Sequence, residues 1–333
     1  MSNARLCIGL IGTGYWGRNL LRNFDSLGAL AGFFDVSAER RREFASQYPE
    51  ARSFEDLDGL IGHAGVSAVV IATPAATHGK LVERALRAGK HVFVEKPLCL
   101  DIAEAESLKN LADDKGLVLM VGHLLLYHPG FQALFKLTKN GNLGTLRYIY
   151  SNRLSLGKIR REENALWSFA PHDVSMILQL AGGVPKRVTA SGAHYLTTGV
   201  ADTTLSHLVL DGDLQAHIYV SWLHPVKEQK LVVVGERAMV VFDDTKEPDE
   251  KLLLYRHTVG WEGELAIVSK AEPEPIAFEQ SEPLRNECQA FLDAIDGVSH
   301  PPSDAAEGIR VLRVLEACQR SILQGASIDL GAV

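Results

Sequence analysis

Ile8-Gly9-Leu10-Ile11-Gly12-Thr13-Gly14-Tyr15-Trp16-Gly17 is the stretch that decides the first half of the fold. Leu6 to Ile11 is a short apolar run, the pattern of a buried strand. A helical pattern from Arg18 to Leu27 follows the glycines. G-x-G-x-x-G between a strand and a helix is the arrangement that sets a dinucleotide pyrophosphate on a helix N-terminus. Gly12 permits the tight turn, Gly14 lets the backbone approach a pyrophosphate, and Gly17 lets the helix pack close to the strand. The first N–H groups of the helix lack partners within it and carry partial positive charge. Thr13, Tyr15 and Trp16 belong to the same turn and are read with the glycines as cofactor-binding. The alternative is a tight turn without a ligand, and the flanking pattern speaks against it.

The next strand, Leu30 to Phe34, ends at Asp35. A carboxylate there accepts hydrogen bonds from the adenosine ribose hydroxyls and repels a 2′-phosphate, so NAD is expected over NADP. Arg40, Arg41 and Arg42 come slightly later on a helical stretch and read either as a solvated face or as flanking the adenine. Further on, Val66 to Ala72 is another apolar run ending in Thr73-Pro74. In an open parallel sheet the strand C-termini form the ligand crevice, so Thr73 and Pro74 are expected beside the dinucleotide, with a plain strand cap as the alternative for Thr73. Thr77 is expected to cap the following helix. His78, at its start, is either a cofactor contact or a plain surface histidine.

Working outward, strand and helix patterns alternate through His91–Val94, Asp101–Lys115 and Leu117–Val121, which implies parallel strands joined by helical crossovers. After about Phe131, strand-like runs succeed one another: Leu146–Leu154, Arg187–Tyr195, Thr203–Leu210, Leu214–Trp222, Leu231–Val234, Met239–Phe242 and Leu252–Tyr255. Ala216, Ile218, Val220 and Trp222 alternate with polar residues, the period of a sheet with two unlike faces. One helix near Phe169–Ala181 interrupts them, and Leu284–Ile295 and Ala305–Leu323 close the chain. Glu272–Pro283 reads as a surface loop or edge segment. The fold class is therefore α/β: an N-terminal Rossmann doubly wound parallel sheet over residues 1–124, then a C-terminal α+β domain over 125–333. The second has a large, mostly antiparallel open sheet, with the last helix able to pack back on the first.

Composition narrows the partners. A length of 333 residues suits two domains, and 46% hydrophobic with 23% charged residues excludes a disordered chain. A formal net charge of -7 opposes nucleic acid at long range. Cys7, Cys99, Cys288 and Cys318 show no CxxC spacing and read as free thiols of a reducing compartment. No long apolar run or basic leader is seen, so the expectation is a soluble, cytoplasmic protein with no membrane partner. The twelve histidines include no HExxH, and His123 with His128 is not adequate evidence for a metal.

The strand at His91 runs into Glu95-Lys96-Pro97. With the glycine motif, Thr73-Pro74, Thr77-His78 and a later helical histidine, this triplet makes nearly the whole chain resemble the Gfo/Idh/MocA family of NAD(P)-dependent sugar and polyol oxidoreductases. Tyr150-Ser151-Asn152-Arg153-Leu154 and Trp167-Ser168-Phe169-Ala170-Pro171-His172-Asp173 resemble its UDP-N-acetylhexosamine 3-dehydrogenase branch. The resemblance implies oxidation of a nucleotide-sugar C3 hydroxyl, for later transamination, in a homodimer or homotetramer. Oxidising an alcohol requires a base for the hydroxyl proton and a carbinol carbon held against the nicotinamide. Lys96, at a strand end, suits either alkoxide stabilisation or, if desolvated, the base. Its ordinary alternative is a solvated lysine. Glu95 is placed to orient Lys96 or the nicotinamide ribose, and Pro97 makes a cis peptide plausible.

His172 lies off the stripe of Val174, Ile177, Leu178 and Ala181, so it does not fill the core of its own helix. A capping or solvated histidine is the alternative; the resemblance implies the acid/base, with Lys96 beside the same hydroxyl. Ser168 is expected to cap this helix, with Pro171 in its first turn. Many polyol dehydrogenases of the family carry Asp where Ser168 stands, so an Asp-assisted relay is absent. Asn164 and Trp167 are expected near the nicotinamide. Tyr127, and Arg153 and Arg160 with Lys158 and Arg161, are expected on the substrate, the cations suiting a diphosphate. The rivals are an NAD-using glycosidase acting by transient C3 oxidation, a polyol or inositol dehydrogenase, and a noncatalytic NAD and sugar sensor.

Overall fold

The structure, a computed structural model, describes residues 7–331. Leu6, the first residue of the expected opening strand, lies outside them. The apolar runs of the first third become β1 (Ile8–Ile11), β2 (Leu30–Phe34), β3 (Arg52–Ser53), β4 (Ala68–Ile71), β5 (His91–Glu95) and β6 (Leu119–Gly122). They pair in parallel in the order β3-β2-β1-β4-β5-β6. All four residues of β1, β4 and β6 are buried, as crossover helices on both faces of a parallel sheet require. Those helices are α1 (Gly17–Ser26), α2 (Ala38–Gln47), the short α3 (Leu57–Ile61), α4 (His78–Arg87) and α5 (Ile102–Asp114). Ser37, Asp56 and Asp101 cap α2, α3 and α5 by accepting backbone N–H bonds. Strand order reverses between β1 and β4, the switch point at which such sheets take ligands.

The next helix, α6 (Pro129–Lys139), has no counterpart in the sequence reading. Pro129 and Gly130 look like a break. Proline nevertheless suits the first helical turn, and the His128 ring accepts the Gly130 N–H. After it come β7 (Leu146–Leu156), α7 (Ala165–Ala181), β8 (Arg187–Ala193), β9 (Thr203–Val209), β10 (Gln215–Ser221), β11 (Leu223–Gly235), β12 (Met239–Asp243), α8 (Pro248–Lys251) and β13 (Leu252–Tyr255). An exposed hairpin, β14 (Thr258–Glu262) with β15 (Leu265–Ser269), and the edge strand β16 (Glu274–Pro275) follow. The chain closes with α9 (Pro283–Ile295), α10 (Ala305–Gln324) and β17 (Ile328–Asp329).

The second sheet has nine strands in the order β16-β13-β12-β11-β7-β10-β9-β8-β17. All its pairings are antiparallel except β7 with β10. Along β10 the residues alternate between buried and half-exposed, with Ala216, Ile218 and Val220 facing inward as their period of two predicts. Helix α7 packs across β7, β9 and β10.

The chain divides into two compact units. One comprises residues 1–127 with 281–312, the other 128–280 with 313–333. Residues 281–312, assigned from sequence to the second domain, thus return to the first unit. Phe291 of α9 shows why. It is fully buried and meets Phe24 and Phe93 edge-on, at 6.5 and 5.8 Å between ring centroids. Among the described residues no helix is long and apolar enough to cross a membrane.

Candidate active site

In the first unit the glycine turn has the geometry its spacing predicts. Gly12 adopts φ +92°, where a side chain would also strike the Ala72 carbonyl. A side chain at Gly17 would run into the Gly12 carbonyl, so α1 could not pack this close to β1. Beside Gly14 the space is open up to the Arg40 guanidinium, 4.0 Å from where a Cβ would stand. An open flank between two closed ones is a cradle for a phosphate at the start of α1. Tyr15 is exposed, and Trp16 gives a side-chain hydrogen bond to Glu95, which links the turn to the end of β5.

Asp35, at the end of β2, is 4% exposed. Its Oδ2 accepts from the Thr13 N–H at 2.8 Å and the Thr13 hydroxyl at 3.1 Å, and its Oδ1 accepts from the Ser37 N–H at 2.9 Å. The Arg40 guanidinium lies 3.6 Å from Oδ2. Burial pushes this carboxyl up. The Ser37 and Thr13 N–H groups, the Thr13 hydroxyl and Arg40 more than offset it and hold Asp35 below its ordinary range. The group is a permanent anion at neutral pH.

Thr73 and Pro74 lie just past β4, with the Thr73 and Thr77 hydroxyls 2.7 Å apart. Thr77 does not cap α4; its hydroxyl bonds the Pro74 carbonyl across a 3₁₀ turn at Ala75–Thr77. His78 is not the surface histidine offered as its alternative: it is 1% exposed, with both ring nitrogens on backbone carbonyls. Glu95 and the half-buried Lys96 end β5, and Lys96–Pro97 is a cis peptide. Burial drives the Glu95 carboxyl up to about 7 against the pull of Lys96, the Trp16 side chain and the Lys96 N–H.

Behind Glu95 stands Glu287 of α9, fully buried, with neither carboxyl oxygen bonded to another protein group. Burial and Glu95 push it well above its ordinary value. Nothing in the sequence around Glu287 announces it, because its neighbour lies far away along the chain.

In the second unit, α7 begins earlier than its sequence suggests. Asn164, not Ser168, caps it by accepting the Trp167 N–H at 3.2 Å. Pro171 therefore lies inside the helix rather than in its first turn. The other end of the Asn164 amide bonds Gln319 of α10 at 2.7 Å, and the Trp167 indole donates to the same oxygen at 3.3 Å. His172 is half-buried on a helix whose other faces are nearly all buried. Asp173 turns away from it and is spent elsewhere, accepting from the Ser151 hydroxyl at 2.6 Å and from Arg153 at 2.8 and 3.1 Å.

Three of the expected site residues have partners within the protein. Arg153 is pinned by Asp173, with its side chain 11% exposed. Tyr127 is buried, with its hydroxyl 2.8 Å from Ser303. Asn164 has its amide committed at both ends. Arg160 pairs with Glu163 at 3.0 Å on a partly exposed segment, while Lys158 and Arg161 are exposed. Among the described residues no group of three or more His, Cys, Asp and Glu is set to hold a metal.

Two family models match. One, an oxidoreductase family with an NAD-binding Rossmann fold, covers residues 6–123, and the Gfo/Idh/MocA C-terminal domain covers 131–241. A UDP-N-acetylglucosamine 3-dehydrogenase of Acidithiobacillus ferrooxidans is 31% identical over 91% of this chain and 93% of its own. The chain belongs to the Gfo/Idh/MocA oxidoreductase family. A crystal structure of the A. ferrooxidans UDP-N-acetylglucosamine 3-dehydrogenase superposes with a TM-score of 0.83 at 28% identity, covering 95% of this chain and 97% of that one. The NADP-dependent scyllo-inositol 2-dehydrogenase IolW of Bacillus subtilis is 25% identical over 89% of this chain and 87% of its own. The fold is shared with GenD2 of gentamicin A biosynthesis, solved with NAD, at a TM-score of 0.83 and 23% identity over 98% of this chain and 97% of that one.

Proposed function

We propose that this oxidoreductase uses NAD to oxidise the C3 hydroxyl of a UDP-N-acetylhexosamine, UDP-N-acetylglucosamine or its uronic acid, to the 3-keto sugar. The observation that carries it is the likeness to a UDP-N-acetylglucosamine 3-dehydrogenase along nearly the full length of both chains. Gly12–Gly17 and the start of α1 hold the pyrophosphate, and Asp35 takes the adenosine ribose hydroxyls. As a permanent anion, Asp35 favours NAD over NADP, with Arg40 softening the repulsion. Thr73 and Pro74 line the dinucleotide.

When bound, NAD supplies the hydride acceptor. His172 takes the hydroxyl proton while Lys96 holds the oxygen, and Glu95 orients Lys96. Trp167 lies on the helix that carries His172 and flanks the nicotinamide. Ser168 stands where many polyol dehydrogenases of the family carry Asp, which disfavours inositol-type substrates.

The test is a panel of UDP-sugars and inositols with NAD and NADP, read by NADH or NADPH absorbance and product mass. A 3-keto UDP-sugar is expected. Turnover of inositols alone, or release of free sugar without net NADH, overturns the proposal. His172→Ala is expected to lower kcat by about 10²–10⁴-fold with NAD binding intact.

A further inference from the structure

Glu287 carries two carboxyl oxygens into the interior of the first unit, and neither is bonded to another protein group. Oε1 of Glu95 is buried in the same condition. The fold sets these two carboxyls against each other. Phe93 and Glu95 are two apart on β5 and share a face of the sheet. Glu287 and Phe291 are four apart on α9 and share a face of the helix. Phe291 packs on Phe93 with ring centroids 5.8 Å apart. Two strand residues and four helical residues span nearly the same length, about 6–7 Å, so the ring contact brings Glu287 level with Glu95. Asn286 fixes the direction, since its amide donates to the Tyr127 carbonyl at 3.2 Å just past β6. That end of α9 therefore lies at the C-terminal ends of the strands, where Glu95 pairs in register with Gly122. Gly122 leaves the space beside the carboxyl open: a Cβ there would stand 3.1 Å from Oε2 of Glu95.

A carboxylate with two unbonded oxygens is costly in the interior, whereas the neutral acid has one O–H that needs one acceptor. Oε1 of Glu95 is an acceptor that lacks a donor. Three orphan oxygens, two on one residue and one on the other, are a partner set for a single buried water. We propose that Glu287 keeps its proton through the neutral range and, across one buried water, donates toward Oε1 of Glu95. It is a positioning residue: a donor on that side favours the Glu95 carboxylate, the form that orients the Lys96 amine. The last step rests on the role of Lys96 under Proposed function; the hydrogen bond from Glu287 does not.

The groups around the pair decide which member ionises. Lys96, its N–H and the Trp16 side chain all favour the charge on Glu95. Burial and the Glu95 carboxyl both hold the proton on Glu287. From the turn past β6 comes the Tyr127 hydroxyl, which is engaged with Ser303 at 2.8 Å. On α9 itself the Cys288 thiol is buried and pushed well above its ordinary value. Glu282 and Arg285, one turn earlier, are engaged by α1, through Asn23 at 3.1 Å and Ser26 at 2.7 Å.

The experiment needs no substrate. The whole protein is labelled with 13C at the glutamate carboxyls, and their resonances are followed from pH 5 to 9. Glu95 and Glu287 are identified by the signals missing in Glu95→Gln and Glu287→Gln. Glu287 is expected to show the shift of a protonated acid up to pH 8. Glu287→Gln keeps an N–H donor for the water, so the Glu95 titration is expected to stay within about half a unit of the wild-type protein. Glu287→Met removes the donor, and the Glu95 titration is expected to rise by about one unit; Glu287→Leu replaces it if that variant misfolds. An ionised Glu287 at pH 7 overturns the proposal. So does a fall of the Glu95 titration in both variants, which is what removal of a neighbouring anion gives. Equal shifts in the two variants, or none in either, overturn the donated hydrogen bond.

A second readout uses UDP-N-acetylglucosamine and NAD. The acidic limb of kcat/KM against pH is expected to move up by about one unit in Glu287→Met and to hold in Glu287→Gln. Absence of turnover in the wild-type protein would count against the proposed substrate and leave the spectra to decide Glu287. A limb that stays in place in Glu287→Met while the Glu95 resonance moves overturns the positioning role.

Discussion

Asp35 and Glu95 are both buried carboxyls at the C-terminal ends of parallel strands in one sheet, yet they hold their protons oppositely. Asp35 has two N–H donors, a hydroxyl and a guanidinium around it, and these overcome burial. Glu95 has its own Lys96 side chain and N–H and the Trp16 side chain, with the unbonded Glu287 carboxyl behind it, and burial wins. The strand end does not decide the charge; the donors around it do. The β2 side presents a fixed anion, the proposed ribose partner. The β5 side presents a group that titrates near neutrality beside the proposed amine.

The largest expected effect falls on the β5 side. Lys96→Met lowers kcat with UDP-N-acetylglucosamine by about 10²–10⁴-fold, measured as initial NADH formation. NAD binding, followed by fluorescence titration, changes far less. Equal losses in binding and in kcat would make Lys96 a cofactor clamp and remove the functional half of the contrast.

On the β2 side, Asp35→Ala weakens NAD by about 10–100-fold, since hydrogen bonds to a charged group contribute about 1.5–3 kcal/mol. NADP suffers less, because the 2′-phosphate then meets Arg40 without the carboxylate. Titration of both cofactors checks this, and an unchanged NAD to NADP ratio would show that Asp35 does not discriminate.

Stability against pH separates the two acids directly. A carboxyl raised on folding stabilises the protein below its unfolded value and loses that contribution as pH rises to its folded value. For Glu95 the fall runs from about 4.5 to about 7 and amounts to on the order of 3 kcal/mol. Glu287 shares the sign. Glu287→Gln is therefore expected to raise the melting temperature at pH 8 and leave it nearly unchanged at pH 4. Asp35 has the opposite sign: its contribution is present above 3.8 and is lost as pH falls below it. Chemical or thermal melts across pH 3 to 9 would reveal both limbs.

The smallest effect tests the donors themselves. Trp16→Phe removes a bond that favours the charged form of Glu95. The Glu95 limb is then expected to move to higher pH by less than about one unit.

Local features were legible in the sequence. The glycine spacing fixed the turn, the strand before it and the helix after it, and Gly12 and Gly17 meet the contacts their positions require. The alternation in Ala216–Val220 gave the two-faced sheet. Caps were less legible, because several residues near a helix start can serve and packing selects one. Asn164 won over Ser168 since Gln319 of α10 holds its other end. The exposed hairpin of β14 and β15 has no buried face to impose a period, and it escaped notice. Side-chain roles that depend on distant partners were hidden altogether. The Asp173 partner of Arg153 could not be read from the sequence, and neither could the two carbonyls that close on the His78 ring.

The return of residues 281–312 to the first unit has a consequence for how the chain is made. When the ribosome has delivered β1 to β6, Phe24 and Phe93 still await Phe291, and Glu95 has no Glu287 behind it. The nucleotide-binding half is complete only once residues 281–312 have been made. A fragment cut after residue 127 should therefore bind the chaperones that recognise exposed aromatic surface, and supplying residues 281–312 as a separate peptide should rescue it.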